Sequence, residues 1–240
     1  MTKALSIDLT QRHGLAQSIA VLYFFSGALG LAYQVLWARM LSLQFGVSIF
    51  GVVITAAAFM LGLGLGALLG GRVARMAHRP LRLFAIIELS VALYAIALPF
   101  VLRLVDSGAT SMAGDNLTAW YALQLVAALL LITLPALAMG IGFPLVLRAL
   151  ANSQLSLAWV YGLNTCGGAV GALLPLLLLP LLGWALGIWA VAFVGLLLAT
   201  AAWLISRRIG ELRRGAAEPK SNHHLLDRLQ SNPDRRSNYH

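Results

Sequence analysis

Six apolar runs occupy most of this chain, each close to the ~20 residues a helix needs to cross a hydrocarbon layer of about 30 Å. They lie at 15–38, 46–70, 81–104, 119–147, 157–182 and 184–206. Of the 240 residues, 60% are hydrophobic and 10% charged, whereas a water-soluble domain carries about 25% charged residues to keep its surface wet. Twelve of the 25 formal charges sit in the last 34 residues, so the remainder has little polar surface to offer water. Lipid is the expected solvent, and in lipid a chain must satisfy its backbone hydrogen bonds internally. The expected fold is therefore an all-α integral membrane bundle of six transmembrane helices. It divides into a cytoplasmic N-terminus (1–14), a transmembrane domain (15–206) and a basic, disordered cytoplasmic tail (207–240). The first run is too long, and too rich in late aromatics such as Tyr33 and Trp37, for a cleaved signal peptide.

The basic residues set the orientation. One side of the bundle receives Lys3, Arg12, Arg72, Arg75, Arg79, Arg82, Arg148 and the tail. The other receives Arg39 and Arg103, with Asp106 and Asp115. Lys and Arg hold cytoplasmic loops in place, so both termini are expected in the cytoplasm. The same distribution argues against nucleic acid as a partner, despite a net charge of +9. The arginines punctuate apolar runs and form no stripe interleaved with exposed aromatics. Cys166 is the single cysteine, which excludes a disulfide framework and a cysteine-based metal site. No metal or cofactor is expected.

Glycine and proline mark the packing. Gly62, Gly66 and Gly70 fall four apart on one helix face, and the spacing recurs at Gly167 and Gly171. Such faces let another backbone approach closely. The fourth run carries Pro135 and Pro144, and the fifth carries Pro175 and Pro180; kinked helices of this kind either pack or border a cavity. Gly66-Ala-Leu-Leu69 recurs as Gly171-Ala-Leu-Leu174, the pattern that three-plus-three inverted repeats would leave.

Several stretches together resemble a known family. They are Phe25-Ser-Gly-Ala-Leu-Gly-Leu-Ala-Tyr-Gln-Val-Leu-Trp-Ala-Arg-Met-Leu-Ser-Leu-Gln-Phe-Gly46, Ala58-Phe-Met-Leu-Gly-Leu-Gly-Leu-Gly66 through Gly70-Gly-Arg72 to Arg79-Pro-Leu-Arg-Leu-Phe-Ala-Ile-Ile-Glu-Leu89, Met139-Gly-Ile-Gly-Phe-Pro144 and Tyr161-Gly-Leu-Asn-Thr-Cys-Gly-Gly-Ala-Val-Gly-Ala-Leu-Leu174. In this order they resemble the membrane half of bacterial spermidine synthase-like fusion proteins, itself similar to half of a major facilitator transporter. The resemblance implies a major facilitator-like half bundle in the bacterial inner membrane. The segment Gly71-Arg-Val-Ala-Arg-Met-Ala-His-Arg79 is similar to the facilitator loop between the second and third spans, with Arg75 where that loop has an aspartate. The fusion proteins continue into an aminopropyltransferase domain. These 240 residues contain no strand–Gly-rich loop–helix unit, so no enzyme activity is expected of them.

What chemistry remains lies in the polar content of the spans. Glu88 is the only acid inside an apolar run, and an intramembrane carboxylate is costly enough to be a functional-site hypothesis by default. Its expected partners are Gln34, Asn164 or a loop arginine. Tyr33, Trp37, Tyr94 and Tyr161 would supply aromatic faces for an organic cation, or anchor the helices at the interface. With Glu88, Gln34, Asn164, Tyr33, Trp37 and Tyr161 as the binding set, one expectation is a transporter-like protein handling a small organic cation such as a polyamine. The other is a non-transporting membrane scaffold that holds a partner. A homodimer, or a complex with a membrane or soluble partner, is compatible with both.

Overall fold

The computed structural model describes residues 2–44, 49–151 and 153–217. Every regular element among them is helical: α1 (Thr2–Gln44), α2 (Ile49–Met76), α3 (Pro80–Ala113), α4 (Leu117–Ala149) and α5 (Leu157–Ala217). All five are long and apolar enough to cross a membrane, which makes this a multi-pass membrane fold. The chain forms two compact units, Met1–Leu204 and Ile205–His240. In the second, the described residues are the end of α5.

The helices begin where local chemistry starts them. Pro80 opens α3, where its missing N–H costs nothing because a first-turn N–H has no helical acceptor. The Asn116 side chain accepts from the Ala119 N–H at 3.1 Å and caps α4, and Ser156 Oγ accepts from the Trp159 N–H at 3.1 Å at the start of α5. Both satisfy donors that a helix N-terminus otherwise leaves open.

Six apolar runs are thus carried by five elements, because the last two runs form two helices of α5 that meet at Gly183 without an intervening loop. Gly183 alone interrupts α5, with φ 71° and ψ 177°, a region essentially restricted to glycine. A straight helix of 61 residues would be roughly 90 Å long, three times the hydrocarbon thickness. The chain instead doubles back. A Cβ on Gly187 would lie 3.8 Å from Leu178 Cβ, although nine residues along a straight helix span about 13 Å. Before Gly183 the register to α1 advances in parallel, Gly167 against Phe24 and Gly171 against Ala28. After it the register runs backwards, Gly187 against Leu36 and Gly195 against Tyr33 and Leu29.

Two further boundaries differ from the sequence expectation. The region 1–14, expected as a separate N-terminal segment, is helical from Thr2 and continuous with the first span. The tail, expected to be disordered from residue 207, continues α5 to Ala217; residues 218–240 lie outside the described residues, as do the side chains of Lys3 and Arg12. The good helix formers Arg207, Arg208, Glu211, Leu212, Arg213 and Arg214 favour this continuation despite Gly210 and Gly215.

The glycine faces are backbone seams. A Cβ at Gly62 would meet the Thr133 carbonyl at 2.6 Å, and one at Gly66 would run into the Leu137 carbonyl. A Cβ at Gly167 would run into the Phe24 carbonyl, and one at Gly171 into that of Ala28. The two seams match residue for residue. Gly62 and Gly66 relate to Thr133 and Leu137 as Gly167 and Gly171 relate to Phe24 and Ala28. The pairing of α2 with α4 is therefore repeated by α5 with α1, which places the faint Gly-Ala-Leu-Leu echo on structurally equivalent turns.

Candidate functional site

Glu88 lies on the buried face of α3 with Phe84, Ala85, Val91, Ala92 and Ala95. That face meets α1, and there Ser26 Oγ donates to Glu88 Oε1 at 2.5 Å. Among the described residues, neither Gln34, nor Asn164, nor a loop arginine takes the partner role expected from the sequence. A short side chain two turns before Tyr33 does so instead. Ser26 escaped the sequence reading because a lone serine in a span usually back-bonds its own helix; its i, i+7 and i+11 spacing to Tyr33 and Trp37 was the available signal.

Tyr33 and Trp37 stack one turn apart, with ring centroids 5.3 Å apart and planes 15° from parallel. Both are fully buried, at 1% and 0% exposure. Neither Tyr33 Oη nor Trp37 Nε1 has a hydrogen-bond partner among the described residues. The Tyr33 hydroxyl sits where α1, α3 and α5 converge: a Cβ on Gly195 would lie 3.0 Å from it and 3.2 Å from Ala92 Cβ. Ala92 is one turn along α3 from Glu88.

Tyr23 links this junction to the opposite side of α1. Its ring meets Phe84 edge-on at 6.4 Å and stacks on Phe143 at 6.1 Å. Phe143 in turn meets the edge of Tyr161 at 6.0 Å. Tyr161 is 59% exposed, so this aromatic row leads from the surface of α5 towards the buried acid. Asn164 packs on the α1 backbone, where a Cβ at Gly27, the neighbour of Ser26, would meet its backbone oxygen and its Oδ1. Gln34 is half-buried on α1 and is not drawn into the cluster. Tyr94 is occupied elsewhere, donating to the Leu131 carbonyl at 2.7 Å. A second polar pair went unanticipated: buried Gln124 donates to Asp106 Oδ1 at 2.6 Å, tying α4 to α3.

The chemistry available is that of one buried acid with a single hydroxyl donor, and, further along α1, two buried donors that lack acceptors among the described residues. Among the described residues no Lys or Arg reaches Glu88, so a cation or a proton is the natural complement to its charge. Those residues also contain no group of three or more His, Cys, Asp or Glu that would hold a metal. Comparison with family models, curated proteins and solved structures found no match to this chain.

Proposed function

We propose that this chain is a transporter-like protein of the bacterial inner membrane, a major facilitator-like half bundle that binds a small organic cation such as a polyamine at Glu88. In this reading α5 crosses twice, giving six spans with both termini in the cytoplasm. The observation that carries the proposal is the Glu88 carboxyl group, buried and bonded to Ser26, with aromatic faces beside it and no cationic side chain of its own among the described residues. Aromatic rings and a carboxylate are the combination that recognises an alkylammonium group. The resemblance to the membrane half of spermidine synthase-like fusion proteins supports the substrate class.

A second reading makes the chain a membrane scaffold for a partner protein. The closed Ser26–Glu88 bond favours it, since a neutral carboxyl group and a hydroxyl can clamp α1 to α3 without any ligand. Flux separates the two. Purified protein in liposomes should move labelled spermidine faster than empty liposomes do. Absence of flux, together with a stoichiometric partner retained through purification, would favour the scaffold. Topology is tested independently in a Cys166→Ser background. Ser107→Cys should react with an impermeant thiol reagent from outside the cell and His78→Cys should not; the reverse labelling contradicts the orientation.

A further inference from the structure

The geometry points to a binding site for an anionic phospholipid on the face of α2 opposite its glycine seam, where leucines lead into a pair of arginines. Leu61, Leu65, Leu68, Arg72 and Arg75 follow the i, i+4, i+7, i+11, i+14 spacing of one helix face. Leu61 is 55% exposed, Leu65 41% and Leu68 76%, and both arginines are exposed. The face turns away from α4, because Gly62, Gly66 and Gly70 hold the other side of α2 against Ala136, Gly140 and Ile141.

Further positive charge gathers at the same end. The turn after α2 exposes His78 and Arg79, and α3 begins with exposed Arg82, whose guanidinium lies 4.3 Å from the centroid of the Trp203 ring. That contact leaves the charge of Arg82 uncancelled. On α4, Arg148 continues the face that sets Ile141 and Pro144 against Gly70. Since α2 and α4 run in parallel register, Arg148 is brought level with the last turn of α2. Among the described residues none of these five arginines meets a carboxylate, and position 75 itself holds an arginine.

Like charges assembled without an acid are relieved by an anion, and the leucine row selects which one. A phospholipid lays its acyl chain along Leu61, Leu65 and Leu68 and its phosphate against Arg72 and Arg75. Free phosphate would leave the leucines unused. Arginine suits phosphate oxygens through its planar fork of donors, and each basic residue at an anionic lipid surface strengthens association about five-fold.

The test uses the full chain purified in mild detergent and titrated with dioleoyl phosphatidylglycerol, dioleoyl phosphatidylcholine or inorganic phosphate, reading bound lipid by native mass spectrometry and stability by thermal shift. Phosphatidylglycerol should be retained selectively and should raise the melting temperature. In the double variant Arg72→Gln/Arg75→Gln its affinity should fall by about twenty-five-fold, five for each arginine. Arg103→Gln, at the other end of α3, should leave it unchanged. Equal retention of the two lipids by the wild type overturns the site without recourse to any variant. So does full stabilisation by inorganic phosphate alone, or an unchanged affinity in a folded double variant.

Discussion

The Tyr94 hydroxyl donates to the Leu131 carbonyl at 2.7 Å, and that carbonyl is free because Pro135, four residues later inside α4, has no N–H to give it. A side chain of α3 thus repairs the backbone of α4 where proline opens it, and in lipid no water is available to do so. Tyr94→Phe should destabilise the protein by about 1–3 kcal/mol, the cost of an orphaned buried acceptor. Pro135→Ala restores the N–H, so in that background Tyr94→Phe should cost much less. A double-mutant cycle by thermal denaturation in detergent measures this coupling; additive effects would contradict it.

The paired seams make equal demands. Gly66→Ala and Gly171→Ala each drive a methyl group into a backbone carbonyl of the facing helix, and backbone cannot rotate aside as a side chain can. Each should cost about 1–3 kcal/mol by overpacking. Gly64, with open space around the position of its Cβ, provides the control: Gly64→Ala should be neutral or slightly stabilising, because alanine is the better helix former.

Gly183 is required for a different reason. Space is available there, since an added Cβ meets nothing within 4 Å, but φ of 71° with ψ of 177° excludes side chains. Gly183→Ala should therefore destabilise by about 1–3 kcal/mol through backbone strain alone. A melting temperature equal to that of wild type would mean that the reversal of α5 tolerates an ordinary residue.

How much of this was legible in the sequence follows from which interactions are periodic. The runs 157–182 and 184–206 flank Gly183, because an apolar span and a reversing glycine each leave a local mark. The seams at Gly62, Gly66, Gly70, Gly167 and Gly171 were visible as four-residue spacing, although not which helix each would meet. Glu88 stood out as the only acid inside an apolar run. Its partner did not, because the Ser26–Glu88 bond joins residues 62 positions apart and depends on how α1 and α3 turn about their axes. The tertiary pairing also separated Tyr33, whose hydroxyl reaches the junction beside Ala92, from Gln34, which shares its helix but points about 100° away from it.

The central claim rests on Glu88, and its most direct test is a thermal-shift titration with spermidine of wild type, Glu88→Gln and Ser26→Ala. Glu88→Gln keeps the shape and the acceptor for Ser26 but removes the charge, so the variant should fold while its response to spermidine falls at least ten-fold. Ser26→Ala should cost about 1 kcal/mol of stability through the lost hydrogen bond and keep a spermidine response, because the carboxyl group remains. Equal responses to spermidine in wild type and folded Glu88→Gln would contradict the account, leaving Glu88 as a clamp between α1 and α3.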